Sequence, residues 1–247
     1  MNELNGKRAL VTGGSRGIGA SIALALANQG ADVAITYNQS AERAAEVVRA
    51  IQAKGRRAAA VQADSADPSA VMRSVDDAAN ALGGLDILVN NVGTARMGKF
   101  VDLSLADIDA ILNTNVRATV LASQAAIRRF ERGGRIITIG SNAAERAAFP
   151  GLAVYSLSKS ALVGLTRHLA RELGPQGITV NLVQPGPTDT ELNPDNGGEL
   201  AELNRRLTAL GRYARPDEVA SVTAFLASAA ADYMTGAIVT VDGGYNA

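Results

Sequence analysis

Residues 7–37 read KRALVTGGSRGIGASIALALANQGADVAITY, and this stretch decides the fold. The short apolar run at residues 9–11 is typical of a buried strand. Apolar residues then recur at helical spacing over residues 18–26, and a second strand-like segment follows at residues 31–37. Strand, turn, helix and strand in this order and length predict one βαβ unit, which joins two parallel strands.

The turn between the first strand and the helix contains Gly13, Gly17 and Gly19. Glycine permits tight backbone geometry and lets a ligand approach the main chain closely. A pyrophosphate can then reach the amides at the helix N-terminus, where the helix dipole favours negative charge. Between a strand and a helix, these glycines predict a dinucleotide-binding site.

A second informative stretch, SNAAERAAFPGLAVYSLSK, spans residues 141–159. Tyr155 and Lys159 lie four residues apart in it, so on a helix they share one face. An ammonium close to the phenol is expected to lower the phenol pKa from about 10, which suits the tyrosine to acid–base catalysis. Taken alone, the pair also fits a surface helix with a solvated lysine. The glycine-rich turn upstream favours the catalytic interpretation.

Strands and helices alternate along the rest of the chain without a recognisable linker. We therefore predict one domain over residues 1–247, an α/β Rossmann-type fold with a doubly wound parallel sheet of about seven strands. The strands are predicted at about 8–12, 32–37, 57–62, 86–90, 135–140, 177–183 and 237–241. Residues 187–210 break the alternation at the sheet edge where ligands bind, and we interpret them as a substrate lid, with an ordered surface excursion as the alternative.

Composition excludes several classes of function. The 24 basic and 24 acidic residues balance, so no net positive field is available to hold nucleic acid or an anionic membrane. The chain has no cysteine, and its single histidine, His168, cannot form a metal site by itself, so no metal is expected. No apolar run approaches the ~20 residues of a membrane span, and no cationic-then-apolar leader is recognisable, so we expect a cytoplasmic protein.

Several motifs follow one another along nearly the whole chain. They are TGxxxGxG at residues 12–19, NNVG at 90–93, NTNV at 113–116, the serine and YSLSK at 141 and 155–159, PG at 185–186 and VDGG at 241–244. Their order and spacing resemble those of the short-chain dehydrogenases/reductases, and the chain looks like the 3-oxoacyl-(acyl carrier protein) reductases within that family. The resemblance implies hydride transfer between a nicotinamide cofactor and a carbonyl or alcohol substrate, as in a carbonyl reductase or an alcohol dehydrogenase.

The resemblance also implies catalytic roles. Tyr155 matches the general acid/base, and Ser141 matches the residue that hydrogen-bonds the substrate oxygen. Lys159 is expected to hold the nicotinamide ribose and to lower the pKa of Tyr155. Asn115 is expected to hold a water through which the proton is replaced.

Cofactor and substrate contacts follow from the same resemblance. Asp64 is expected to receive the adenine amino group, while Asn91 and Gly93 back the adenosine ribose. The implied cofactor-binding residues are Gly13, Ser15, Arg16, Ile18, Gly19, Tyr37, Asn38, Ser40, Asp64, Asn91, Gly93, Tyr155, Lys159, Pro185, Gly186 and Thr188. The expected substrate contacts are Ala143, Phe149 and Leu192, with Thr94, Ala95 and Ala144 beside them.

The chain departs from the family pattern at two positions. Val92 replaces the usual alanine of the NNAG motif, which adds bulk beside the cofactor. Ser141 lies one residue further from Tyr155 than in many members, so the loop between them is longer. Loops accept such insertions at small cost, and this loop lines the expected substrate site.

The end of the second predicted strand indicates the cofactor. NAD-dependent enzymes usually place a carboxylate there, on the ribose 2′-hydroxyl. Here Tyr37 is followed by Asn38, Gln39 and Ser40, and the first carboxylate is Glu42. Arg16 in the glycine turn can pair with a 2′-phosphate, so we predict NADP with NADPH favoured over NADH; the alternative is a solvated arginine and use of both cofactors.

Two further expectations concern assembly and the class of protein. Helices predicted at about 104–130 and 153–173 and the strand before the final glycines resemble surfaces through which family members form homotetramers. The alternative to an enzyme is a binding or sensor protein that keeps the fold and sequesters a nucleotide-like ligand. The presence of all four catalytic-type residues favours the enzyme.

Overall fold

A parallel sheet of seven strands lies between layers of helices in the computed structural model, which describes residues 3–247 apart from the side chain of Arg132. The strands are β1 (Arg8–Val11), β2 (Asp32–Tyr37), β3 (Ala58–Gln62), β4 (Leu85–Asn90), β5 (Phe130–Ile139), β6 (Thr179–Pro185) and β7 (Ile238–Val241). The helices are α1 (Gly17–Asn28), α2 (Ala41–Gln52), α3 (Pro68–Leu82), α4 (Leu105–Leu112), α5 (Ala118–Ile127), α6 (Ala153–Leu173), α7 (Gly198–Leu207) and α8 (Pro216–Ala227). The predicted fold class is confirmed. None of the described helices combines the length and apolar character needed to cross a membrane.

The strand order across the sheet is β3-β2-β1-β4-β5-β6-β7, with every neighbouring pair parallel. The chain runs outward from β1 to β3 and then returns to the other side of β1 with β4. The carboxyl ends of β1 and β4 therefore flank the point where the winding reverses, which is the position where open α/β sheets bind ligands.

Side chains of β1 point alternately to the two faces of the sheet, as the period of two along a strand requires. Ala9 and Val11 are buried against α1, α2 and α8, whereas Leu10 is buried against α3 and α5. A third buried cluster packs α6 on β5 and β6. Because both faces are covered, the central strands read as continuous apolar runs.

Two strands differ from their predicted bounds by two residues or more. β5 begins at Phe130, five residues before the predicted start, because Phe130 pairs with Leu85 of β4 ahead of an irregularity between Leu85 and Ile87. β6 continues to Pro185. Residues 187–197 have no regular helix or strand and are followed by α7, so the predicted lid segment consists of a loop and one short helix.

The turns after β1 and β4 brace each other. The Thr12 hydroxyl oxygen accepts hydrogen bonds from the main-chain N–H groups of Asn91 at 2.9 Å and Val92 at 3.2 Å. In return, the Asn91 side-chain amide donates to the carbonyl oxygens of Thr12 at 2.9 Å and Gly13 at 3.2 Å. The two strand ends at the reversal point are thus held in one fixed relation.

We expect Thr12→Val to lower the free energy of unfolding by roughly 1–3 kcal/mol, because the near-isosteric change leaves two main-chain donors without their acceptor. Urea denaturation measures the effect. Thr179→Val in β6 is the matched control, since the Thr179 hydroxyl is buried without a hydrogen-bond partner. The control should be neutral or stabilising; an equal loss in both variants would show that the brace contributes nothing specific.

Candidate active site

A single large cleft of about 1580 Å³ follows the carboxyl edge of the sheet, from the end of β2 past the glycine turn to the loops after β4 and β5 and the lid segment. Every residue predicted to contact the cofactor lines this cleft, as do Ser141, Ala143, Phe149 and Leu192. Two predicted residues do not line it: Ala144, and Asn115, which is fully buried behind the wall. The fold therefore brings nearly all of the predicted site residues together along one cleft.

The backbone of the glycine turn lines the cleft at the start of α1. Gly13 adopts a positive φ of 64°, which glycine tolerates without strain. A Cβ on Gly19 would clash with the Gly13 carbonyl oxygen and the Asn91 amide nitrogen. α1 has no side-chain N-cap and no acidic residue in its first turn, so its N-terminal amides fit an anion such as a pyrophosphate.

The Asn91 side chain has a structural role that the sequence did not indicate. Its nitrogen donates hydrogen bonds to the two carbonyl oxygens of the glycine turn, although the residue also lines the cleft. Its amide therefore fixes the turn. Asp64 lies at the β2–β3 end of the cleft, where its carboxylate accepts a hydrogen bond from the Ala66 N–H at 2.9 Å.

Lys159 is almost completely buried in α6, with 4% of its surface exposed. Its ammonium donates to the Ile139 carbonyl oxygen at 3.1 Å, at the end of β5. Burial lowers the pKa of Lys159 to about 8. Gly93 leaves room for this group, since a Cβ there would lie 3.2 Å from the lysine nitrogen.

Tyr155 faces Ser141 across the cleft. Burial raises the pKa of the Tyr155 phenol above its ordinary value, and the hydrogen bond with Ser141 acts in the opposite direction. The net direction is opposite to the one expected from the neighbouring lysine, because burial dominates the shift. The Lys159 nitrogen lies 5.8 Å from the centre of the tyrosine ring and donates to the Ile139 carbonyl oxygen. The phenol is consequently held in its protonated form.

Asn115 lies in a π-helical segment, Asn113–Arg117, between α4 and α5. Its side-chain oxygen accepts a hydrogen bond from the Thr94 N–H at 2.8 Å. Its side-chain nitrogen donates to the Thr94 carbonyl and the Ser158 hydroxyl, both at 2.9 Å. Its main-chain carbonyl accepts from the Thr119 hydroxyl at 3.0 Å. The side chain thus links the loop after β4 to α6. π-Helical segments are frequent at functional sites.

The loop from Ser141 to Tyr155, which carries the extra residue, is anchored on α6. The hydroxyls of Ser156 and Ser160 donate to the Ala143 and Ala144 carbonyls at 2.5 Å and 3.0 Å. These bonds place Ala143 in the cleft and turn Ala144 away from it.

Sequence reasoning missed several residues at the substrate end. Arg146 donates to the Tyr245 carbonyl and lies over the Tyr245 ring at 5.5 Å. The further lining residues there include Met97, Lys99, Phe100, Val101, Leu200 and Asn204. Most of them come from the loop after β4, which carries no periodic signal, while Leu200 and Asn204 lie on α7. The aromatic residue just after the VDGG motif was the one available indication.

His168 lies exposed on α6. Within the described part of the chain, no three histidine, aspartate or glutamate side chains converge in a way that could hold a metal ion.

Comparisons with known proteins agree with the geometry. A family model described as enoyl-(acyl carrier protein) reductase matches residues 13–246. A short-chain dehydrogenase from Burkholderia cenocepacia solved in complex with NADP is 56% identical, with a TM-score of 0.97 and coverage of 99% of this chain and 100% of that one. A short-chain dehydrogenase/reductase from Serratia marcescens is 52% identical, with the same TM-score of 0.97 and coverage of 99% and 100%. A cyclic-di-GMP-binding biofilm dispersal mediator protein from Escherichia coli is 44% identical over the full length of both chains.

The Lys159 pKa generates a pH-dependent stability. The folded-state value of about 8 lies below the ordinary 10.5, so between these values the unfolded chain binds more protons and the free energy of unfolding rises with pH. Lys159→Met removes this titration. The stability advantage of the variant over the wild type should therefore be larger at pH 7 than at pH 9.5 in urea denaturation. A difference that is independent of pH would contradict it, and Lys54→Met, at an exposed lysine, is the control.

Proposed function

The chain belongs to the short-chain dehydrogenase/reductase family, and on that basis we propose that it is an NADPH-dependent oxidoreductase acting on a carbonyl or alcohol substrate. The family expectation drawn from the motifs is thereby confirmed. The finer activity, that of a carbonyl reductase or alcohol dehydrogenase, is our proposal. One observation carries it: the phenol of Tyr155 faces Ser141 in the cleft, with buried Lys159 one turn further along α6.

The residues of the chain divide the proton chemistry among them. Tyr155 holds a proton at its phenol oxygen, as its raised pKa favours, and donates it to the substrate carbonyl oxygen during reduction. Ser141 hydrogen-bonds the same oxygen and stabilises the charge that develops there. Lys159 then stabilises the phenolate left on Tyr155. The nicotinamide supplies or accepts the hydride when it is bound.

The glycine turn and its surroundings support the cofactor assignment. The uncapped start of α1 fits the pyrophosphate, and Asp64 offers an acceptor for the adenine amino group. NADP is also the ligand named for the Burkholderia relative. Arg16 and Asn38 line the same cleft, and the end of β2 carries no carboxylate, which supports a preference for NADPH over NADH.

A second candidate function is supported by the Escherichia coli relative, which is named for binding cyclic di-GMP. The cleft of about 1580 Å³ has room for a nucleotide ligand of this size, so a binding or sensor role would use the same site. Against a pure sensor stands the complete set of Asn115, Ser141, Tyr155 and Lys159.

The substrate end of the cleft supports a compact or elongated carbonyl compound. Ala143, Phe149 and Leu192 are small or apolar, and Leu192 belongs to the segment 187–210 that we propose as the lid. We further propose that residues 1–247 act as one domain and that the protein works in the cytoplasm. Neither nucleic acid nor a membrane is expected as a partner, given the balanced charge.

Turnover measurements separate the two functions. NADPH consumption is followed with a panel of aldehydes, ketones and diketones, and cyclic di-GMP binding is measured by calorimetry. Turnover of one substrate class supports the enzyme. Tight cyclic di-GMP binding without any turnover would favour the sensor instead.

We expect Tyr155→Phe to lower turnover by roughly 10²–10⁴, because it removes the proton donor while keeping the ring in place. Cofactor affinity, measured by fluorescence titration, should change little. Tyr233→Phe is the matched control, since Tyr233 is fully exposed. Near wild-type turnover in Tyr155→Phe would refute the assigned mechanism. Lys159→Ala should differ from it by also weakening cofactor binding.

We also propose a homotetramer with two-fold axes. Leu105 on α4 and Leu157 on α6 support it, since these large apolar side chains are 73% and 58% exposed. Light scattering at micromolar concentration should give about four times the 25.4 kDa of one chain. Leu157→Glu should reduce this mass, whereas Met72→Glu, at an exposed residue of α3 outside the proposed assembly surfaces, should not. A wild-type monomer would overturn the proposal.

A further inference from the structure

Arg16, Arg43 and Glu191 form one ion cluster at the mouth of the cleft. The Arg16 guanidinium donates to one carboxylate oxygen of Glu191 at 2.8 Å, and the Arg43 guanidinium binds the other oxygen. The three side chains come from the glycine turn, the first turn of α2 and the lid segment. All are about half exposed, so the cluster is open to solvent and to a ligand.

The cluster lies where the cofactor's ribose 2′ position is expected. Arg16 and Glu191 line the same cleft as Asn38 and Ser40 at the end of β2. Arg43 lies three residues after Ser40, which directly precedes α2. Arg16 is the only arginine that the sequence analysis assigned to this end of the cleft; the structure adds a second guanidinium, that of Arg43 on α2.

The charges of the cluster are unequal. Two guanidinium groups share one carboxylate, and hydrogen bonding to Arg16 and Arg43 lowers the pKa of Glu191, so that Glu191 stays ionised. A phosphate monoester carries −1.5 to −2 charges near neutral pH and offers three acceptor oxygens, which matches two converging guanidinium groups better than a carboxylate does. Arginine is also the side chain best suited to bidentate phosphate contacts.

We propose that Arg16 and Arg43 together bind the 2′-phosphate of NADP(H), and that Glu191 is an internal anion that competes with this phosphate for both arginines. The proposal rests on the function proposed above and deepens it. Arg43 then determines cofactor specificity together with Arg16. Glu191 lowers the affinity for NADP(H) by holding both arginines before the cofactor binds.

The position of Glu191 connects the cluster to the substrate end of the cleft. Its neighbour Leu192 is 73% exposed and lines the same cleft. Both residues lie in a turn that is closed by main-chain hydrogen bonds between Thr190 and Asn193. When the phosphate displaces Glu191, the stretch that carries Leu192 loses its ties to α1 and α2. NAD(H), which lacks the phosphate, leaves these ties intact.

An exposed ion pair without function would behave differently. Such pairs contribute little to stability and are screened by salt, so removing any one of the three charges would change cofactor binding slightly and equally for both cofactors. The two accounts therefore differ in the affinity for NADPH relative to NADH. That ratio is measured by binding alone, without substrate.

The first test is fluorescence titration of the substrate-free protein with NADPH and with NADH. Arg43→Ala should raise the Kd for NADPH about tenfold, as expected for a lost charge-assisted contact at a half-exposed site, and change the Kd for NADH less than about twofold. Arg16→Ala should act in the same direction. Arg49→Ala is the matched control, an exposed arginine on the same helix. Equal effects of Arg43→Ala on both cofactors would overturn the proposal.

The second test concerns Glu191. Glu191→Gln keeps the shape and removes the charge, so it should lower the Kd for NADPH severalfold and leave that for NADH unchanged. Glu199→Gln, an exposed carboxylate in the first turn of α7, is the control. In the double variant with Arg43→Ala the gain from Glu191→Gln should shrink, because the two residues act on one site. Weaker NADPH binding in Glu191→Gln would overturn the role of the internal anion.

These titrations distinguish the proposal from the function on which it rests. Binding of NADPH with an unaltered cofactor ratio in Arg43→Ala would refute the second arginine alone. Binding of neither NADPH nor NADH by the wild type would refute both the oxidoreductase and the two-arginine site.

Discussion

The hydrogen bonds between Thr12 and Asn91 are the constraint on which the site depends. They tie the end of β1 to the end of β4, the two strands between which the winding of the sheet reverses. A reversal point leaves a crevice because the connections from the two strands run to opposite sides. Without a brace, the two turns could separate, and the floor for the cofactor and the wall that carries Gly93 would move apart. One hydroxyl and one amide therefore set the geometry of both.

The second constraint on this site is the burial of the Lys159 ammonium group. Lys159 loses most of its hydration, which lowers its pKa to about 8, and recovers one hydrogen bond from the end of β5. The same low-polarity surroundings raise the pKa of Tyr155 and keep it protonated. The raised pKa thus favours Tyr155 as a proton donor rather than as an acceptor. The Asn115 side chain, bound on both sides, keeps the loop after β4 and α6 at a constant separation.

At the other end of the cleft, the charged side chains are exposed to solvent. Glu191 belongs to the lid segment, yet its partners belong to the glycine turn and α2. Contacts between exposed charges are individually weak and easily exchanged for others. For this reason, the rigid parts of the site are built from buried hydrogen bonds and the exchangeable part from ion pairs. In our proposal, cofactor recognition and the position of the lid segment depend on the same three residues.

The sequence alone determined the βαβ start, the seven parallel strands, the glycine turn and the catalytic-type residues, because apolar periodicity and glycine requirements are local properties of the chain. Nearly all of the predicted contact residues line one cleft, because the carboxyl ends of parallel strands meet at one edge of the sheet. The early start of β5 could not be foreseen, since FERGG carries no strand pattern and pairs only because β4 lies beside it. The raised pKa of Tyr155 also escaped prediction, because spacing along a helix reports proximity and not solvation. Arg43 and Glu191 are 148 residues apart, and Tyr245 is 99 residues from Arg146. Such pairs form only when the folded sheet brings distant loops to its carboxyl edge, so tertiary structure decided them.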